Sequence, residues 1–120
     1  MIINKLLTLI EDVKPNAFST ATKLQWLNTC EAEIFTEVML KDPADYVPYT
    51  DTVTDLAKEL LAPIPFDRLY EYYLEAQIDF ANGEYDRYAN TMQLYNETRD
   101  AYATWYGNNH DLREGEEENG

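Results

Sequence analysis

Seven residues near the end of this chain, Tyr85, Tyr88, Met92, Tyr95, Arg99, Tyr102 and Tyr106, recur at alternating steps of three and four. Such a spacing keeps one face of an α-helix in line for about six turns and has no counterpart in a strand, where every second residue shares a face. The pattern predicts a helix over 84–106 whose mostly aromatic face docks on a neighbour. The neighbour is the segment before it. Tyr70, Tyr73, Leu74, Gln77, Ile78 and Ala81 predict a helix from 66 to 82, and Asn82-Gly83 is a strong stop. Glycine takes the left-handed conformation at little steric cost, and so short a connection forces an antiparallel hairpin.

The first half adds two helices. Ile3, Leu6, Leu7 and Ile10 fall at helical spacing from about Ile2 to Lys14, and Pro15 ends the run. Ser19 or Thr20 then caps a helix to about Leu40, with Leu24, Leu27, Ile34 and Val38 as its stripe. Glu31 interrupts that stripe, and Trp26, Cys30 and Phe35 widen it. Residues 41–66 contain Pro43, Pro48, Pro63 and Pro65. They predict an irregular segment with room for short edge strands around Tyr46–Val53 and a helical turn or two within Asp55–Leu61. A loop this long in a compact domain more often works than idles, so it is a candidate contact arm. The whole predicts an all-α fold: one helical bundle over 1–106, ending in a long antiparallel hairpin, followed by an acidic, disordered tail over 107–120.

Charge narrows the function. The chain carries 23 acidic and nine basic residues, a net −14, of which the tail contributes −4. Repulsion from phosphate argues against binding nucleic acid or an anionic membrane directly. Three uses of the acid remain: plain solubility, imitation of a phosphate array, or coating a surface past which DNA slides. No apolar run approaches the ~18 residues that span a bilayer. The N-terminus places Glu11 and Asp12 too early for a secretory signal, and the one cysteine fits a reducing compartment. A soluble, intracellular product is expected.

Catalytic and metal chemistry find little footing. His110, the single histidine, falls in the expected tail, where it could not be held against a substrate. Cys30 lies among apolar neighbours with acids at 31 and 33, which blunt a nucleophile. Asp79, Glu84 and Asp86, and the pair Glu71 and Glu75, read as helix-end and surface charges, not as metal ligands. The expectation is a non-enzymatic protein without metal or cofactor. Ten tyrosines exceed what a small core needs, and tyrosine is enriched at interfaces. Tyr46, Tyr49, Tyr70, Tyr73, Tyr85, Tyr88, Tyr95, Tyr102, Trp105 and Tyr106 are therefore the candidate interface residues, shared between the core and a neighbouring subunit.

The runs Lys14-Pro15-Asn16-Ala17-Phe18 and Lys23-Leu24-Gln25-Trp26-Leu27 resemble the start of small structural proteins of tailed phages and prophages of Gram-positive bacteria. The likeness continues through Glu59-Leu60-Leu61-Ala62-Pro63, Phe66-Asp67-Arg68-Leu69-Tyr70, Asn82-Gly83-Glu84, Tyr88, Met92, Tyr95-Asn96 and Trp105-Tyr106. It covers most of the chain except 41–55 and the acidic ending, which departs from the pattern. Such proteins resemble head–tail connector (adaptor) subunits. The resemblance implies a homo-oligomeric ring below the portal, contacts with portal or tail proteins, assembly in the bacterial cytoplasm, a final place in the virion, and no catalytic residues. Two other readings stay open: an acidic DNA-mimic inhibitor of a nucleic-acid-binding enzyme, and a cytosolic helical adaptor.

Overall fold

The structure, a computed structural model, describes residues 1–110. Residues 111–120, which hold most of the expected tail, lie outside the described part. The principal helices are α1 (Ile3–Val13), α2 (Thr20–Glu33), a short α3 (Val53–Leu56), α4 (Arg68–Ala81) and α5 (Tyr85–Asn109). The fold is a helical bundle with a long C-terminal helix, and the described residues contain no β-strand. The edge strands expected around Tyr46–Val53 do not form. The proline at 48 removes a ladder donor, and the one antiparallel bridge pairs Ile2 with Glu59 instead.

Each boundary has a local cause. Ser19 Oγ accepts from the amide of Thr22 at 3.1 Å and starts α2. At Ile34 α2 passes into a π-helical turn, Ile34–Val38, in which the Met39 amide reaches back to Ile34 at 3.0 Å. Leu40 ends the turn with φ of +56°, a left-handed conformation that costs a branched residue energy glycine would avoid. Gly83, at φ +77°, makes the expected turn between α4 and α5. α5 runs to Asn109, three residues past the expected end at Tyr106, so residues 107–109 are helical.

α4 occupies the centre, packed against α1, α2 and α5. Ile3, Leu6 and Ile10 of α1, Leu24, Leu27 and Cys30 of α2, and Leu69, Tyr70 and Leu74 of α4 are buried together. From α5 the seam supplies Tyr95, Tyr102 and Tyr106. Burial pushes the phenols of Tyr73 and Tyr102 up to about 12, which keeps them neutral inside the bundle. The Cys30 thiol lies 3.7 Å from the Tyr95 hydroxyl, and burial raises its pKa too, as expected of a packing residue.

Two buried carboxyl groups, Asp79 and Glu31, sit in this apolar frame. The ammonium of Lys14 meets Asp79 Oδ1 at 2.5 Å, tying the end of α1 to α4. Asp79 was expected at the surface; it is buried because α1 crosses α4 there and Lys14 brings the countercharge. Glu31, which looked like a flaw in the α2 stripe, is fully buried and lies at the centre of a hydrogen-bond cluster.

Candidate interaction surface

The α4–α5 hairpin is longer than the bundle that covers it, and its tip is left bare. Phe80 stands in the last turn of α4, Tyr85 opens α5, and Tyr88 follows one turn later. Their rings cluster, with Phe80 5.3 Å from Tyr85 and 5.1 Å from Tyr88, centroid to centroid. Edge-on contacts of this kind suit aromatic quadrupoles, yet Phe80 stays 53% and Tyr85 61% exposed. Arg87 and Glu84 form an exposed ion pair beside them at 3.4 Å. An apolar cluster with a charged rim is the makeup of an interface.

A second aromatic group closes the other end. Phe66 lies 5.5 Å from Trp105 and 5.4 Å from Tyr102, and Ile64 beside it in sequence is 80% exposed. The His110 ring stacks on Tyr106 at 3.9 Å, and its Nδ1 is 3.1 Å from the Tyr106 carbonyl. His110 is therefore held at the helix end, not loose in a tail as expected. From Tyr85 to Trp105 the α5 rod spans about 30 Å.

The ten candidate interface residues divide into three groups. Tyr70, Tyr73, Tyr95, Tyr102 and Tyr106 are buried within the chain, so their assignment to an interface is corrected. The seam that could have met a neighbour is already matched by α4; Tyr73 and Tyr95, for example, pack at 5.1 Å. Tyr46 and Tyr49 are half-buried and attach the 41–66 segment to α2. The Tyr46 hydroxyl donates to Asn28 Oδ1 at 2.7 Å and the Tyr49 hydroxyl to Glu31 Oε2 at 2.8 Å. Tyr85 and Trp105 are exposed at the ends of the rod, with Tyr88 half-buried beside Phe80.

Three contributors escaped sequence reasoning. Phe80 gave a signal: an aromatic residue two positions before Asn82-Gly83 sits where a hairpin runs out of partners. Asn28 and Glu31 gave none, because their partners come from 18 to 39 positions away in the chain. Glu31 Oε1 accepts from the Tyr70 hydroxyl at 2.6 Å, and Oε2 accepts from Tyr49 and from the Leu61 amide at 3.0 Å. Tyr70 Oη in turn accepts from the Ala62 amide at 2.8 Å. The cluster thus satisfies the loop amides of Leu61 and Ala62 and sets the entry into α4.

Among the described residues no three of His, Cys, Asp and Glu stand close enough to hold a metal ion, and no helix is long and apolar enough to cross a membrane. No protein-family model, curated protein or solved structure matches the chain.

Proposed function

We propose that this chain is a structural subunit of a tailed-phage or prophage particle, a head–tail connector (adaptor) protein that joins copies of itself into a ring below the portal. It works by binding, not by catalysis, and it is made in the bacterial cytoplasm and ends in the virion. The observation that carries this reading is the aromatic cluster at the hairpin tip, where Phe80 and Tyr85 are exposed with Tyr88 half-buried beside them. A ring needs two different faces on each subunit, and the tip and the Phe66–Trp105 end supply a pair about 30 Å apart on one rigid rod. The net charge of −14 favours a channel that DNA traverses without adhering. The resemblance of Lys14–Phe18, Lys23–Leu27 and the hairpin residues to connector proteins supports the same role.

The test compares the natural chain with a Phe80→Ser, Tyr85→Ser double variant, alone and mixed with portal protein, by native mass spectrometry. Ring-sized oligomers, or retention on the portal, are expected for the natural chain and lost in the variant at unchanged helix content. An inert monomer under both conditions overturns the reading. Retention by a basic DNA-binding enzyme in place of the portal would favour the DNA-mimic alternative.

A further inference from the structure

Residues 42–52 run alongside α2, where polar contacts of Tyr46 and Tyr49 with Asn28 and Glu31 attach them, before α3 packs on α1. No residue from Lys41 to Glu59 is buried; Tyr49 and Leu56 pack half-buried against the core, and Tyr46 meets Phe35 at 5.7 Å. Two α2 side chains, one turn apart, make the attachment. Asn28 uses both ends of its amide on Tyr49: Oδ1 accepts from the Tyr49 N–H at 2.8 Å, and Nδ2 donates to the Tyr49 carbonyl at 3.0 Å. An adjacent strand would offer the same pairing. Glu31 takes the Tyr49 hydroxyl. Segments with few buried contacts and polar attachments open at lower free energy than the core.

Glu31 is buried without a cationic side chain against it; among the described residues it enters no ion pair. The groups facing it are neutral at ordinary pH: Tyr70 of α4, Tyr102 of α5, Tyr46 and Tyr49 of the 42–52 segment, and Cys30 beside it on α2. The Met1 ammonium is the opposing charge, and its effect is the weakest of those acting on Glu31. Loss of water is the largest influence and outweighs the three hydrogen bonds, so the carboxyl titrates above its ordinary value.

We propose that residues 42–52 are a strap that Asn28 and Glu31 hold closed against α2, and that ionisation of Glu31 loosens it. Opening carries the Tyr49 hydroxyl away and admits water to the carboxylate. The open form then prefers the charged group and the closed form the neutral acid. A neutral Glu31 keeps its contacts, because the Tyr49 hydroxyl can turn from donating to accepting. Since the closed form binds the proton more tightly, the strap tightens as pH falls and loosens as pH rises through the closed-state value. The device belongs to the single chain and stands whether or not the connector reading holds.

Hydrogen exchange of the Tyr49 amide, whose acceptor is Asn28, tests it, with the Leu27 amide of α2 as the core reference. After correction for the intrinsic rate, Tyr49 protection should fall by up to tenfold per pH unit between 4.5, the ordinary value, and the closed-state value. Leu27 should stay protected throughout. In Glu31→Gln the Tyr49 protection should be flat with pH; in Asn28→Ala it should be low at every pH while Leu27 remains protected. The same pH slope in Glu31→Gln as in the natural chain overturns the proposal. So does equal exchange of Tyr49 and Leu27, which would mean that the segment opens only with global unfolding.

Discussion

The Tyr70 hydroxyl donates a 2.6 Å hydrogen bond to Glu31 Oε1 and joins α2 to α4 inside the bundle. The same oxygen of Tyr70 accepts from the Ala62 amide, so one phenol orders two helices and the loop between them. Replacing Tyr70 by Phe strands the Ala62 N–H and removes a donor from a buried carboxylate. Leaving a buried polar group unpaired costs about 1–3 kcal/mol. Tyr70→Phe should therefore lower unfolding free energy by about 2 kcal/mol in urea titration. Tyr49→Phe should cost about 1 kcal/mol or less, because its half-buried site lets water replace the phenol. Equal losses for the two would contradict this division.

The pH dependence of stability follows from opposite shifts. The Glu31 carboxyl titrates above its ordinary value, chiefly through burial, so the folded state binds its proton more tightly than the unfolded state. Its contribution is fully present below the unfolded value of 4.5 and is lost as pH rises through the folded value. Glu31→Gln should thus grow more stable relative to the natural chain from pH 4.5 upward, then level off. Asp55 runs the other way. Hydrogen bonds from Lys58 and Thr50 hold it down at about 2, so its contribution is present above 3.8 and lost as pH falls toward 2. Thermal melts of the natural chain, Glu31→Gln and Asp55→Asn from pH 2 to 8 should show the two trends in separate windows.

Lys14 is the sole charged partner given to the buried carboxylate of Asp79 in the described structure. Lys14→Met keeps the apolar stem and deletes the ammonium, leaving an uncompensated charge against α1. Breaking a buried pair from one side costs about 3–5 kcal/mol. The double replacement Lys14→Met, Asp79→Leu should recover most of that loss in a denaturant midpoint series. A double variant no better than Lys14→Met would show that the pair fixes the α1 crossing itself.

Leu40 takes its positive φ while its side chain is 65% exposed, so it contributes little packing in exchange for backbone strain. Glycine relieves roughly 1–2 kcal/mol of left-handed strain and gives back part through a more flexible unfolded chain. Leu40→Gly should raise stability by about 0.5–1 kcal/mol. A drop would mean that the Leu40 side chain makes contacts worth more than the strain.

Repetition made the hairpin legible in the sequence. Tyr95, Tyr102 and Tyr106 return to one face every three or four residues, and Asn82-Gly83 can only turn, so helix, partner and connection follow from local geometry. The same regularity misled on the interface, since periodicity says that a face is covered but not by what. α4 covers it, and only the ends, Tyr85, Tyr88 and Trp105 with the unforeseen Phe80, are left to face a partner. Asn28, Glu31 and Asp79 were illegible for a different reason. A polar residue in an apolar stripe reads as a defect until the chain brings Tyr49, Leu61, Tyr70 or Lys14 to it, and those contacts span from 18 to 65 positions. Sequence settles which backbone can be helical, because that depends on neighbours one turn away. Which charges are buried and satisfied depends on where helices cross, and only the tertiary structure decides it.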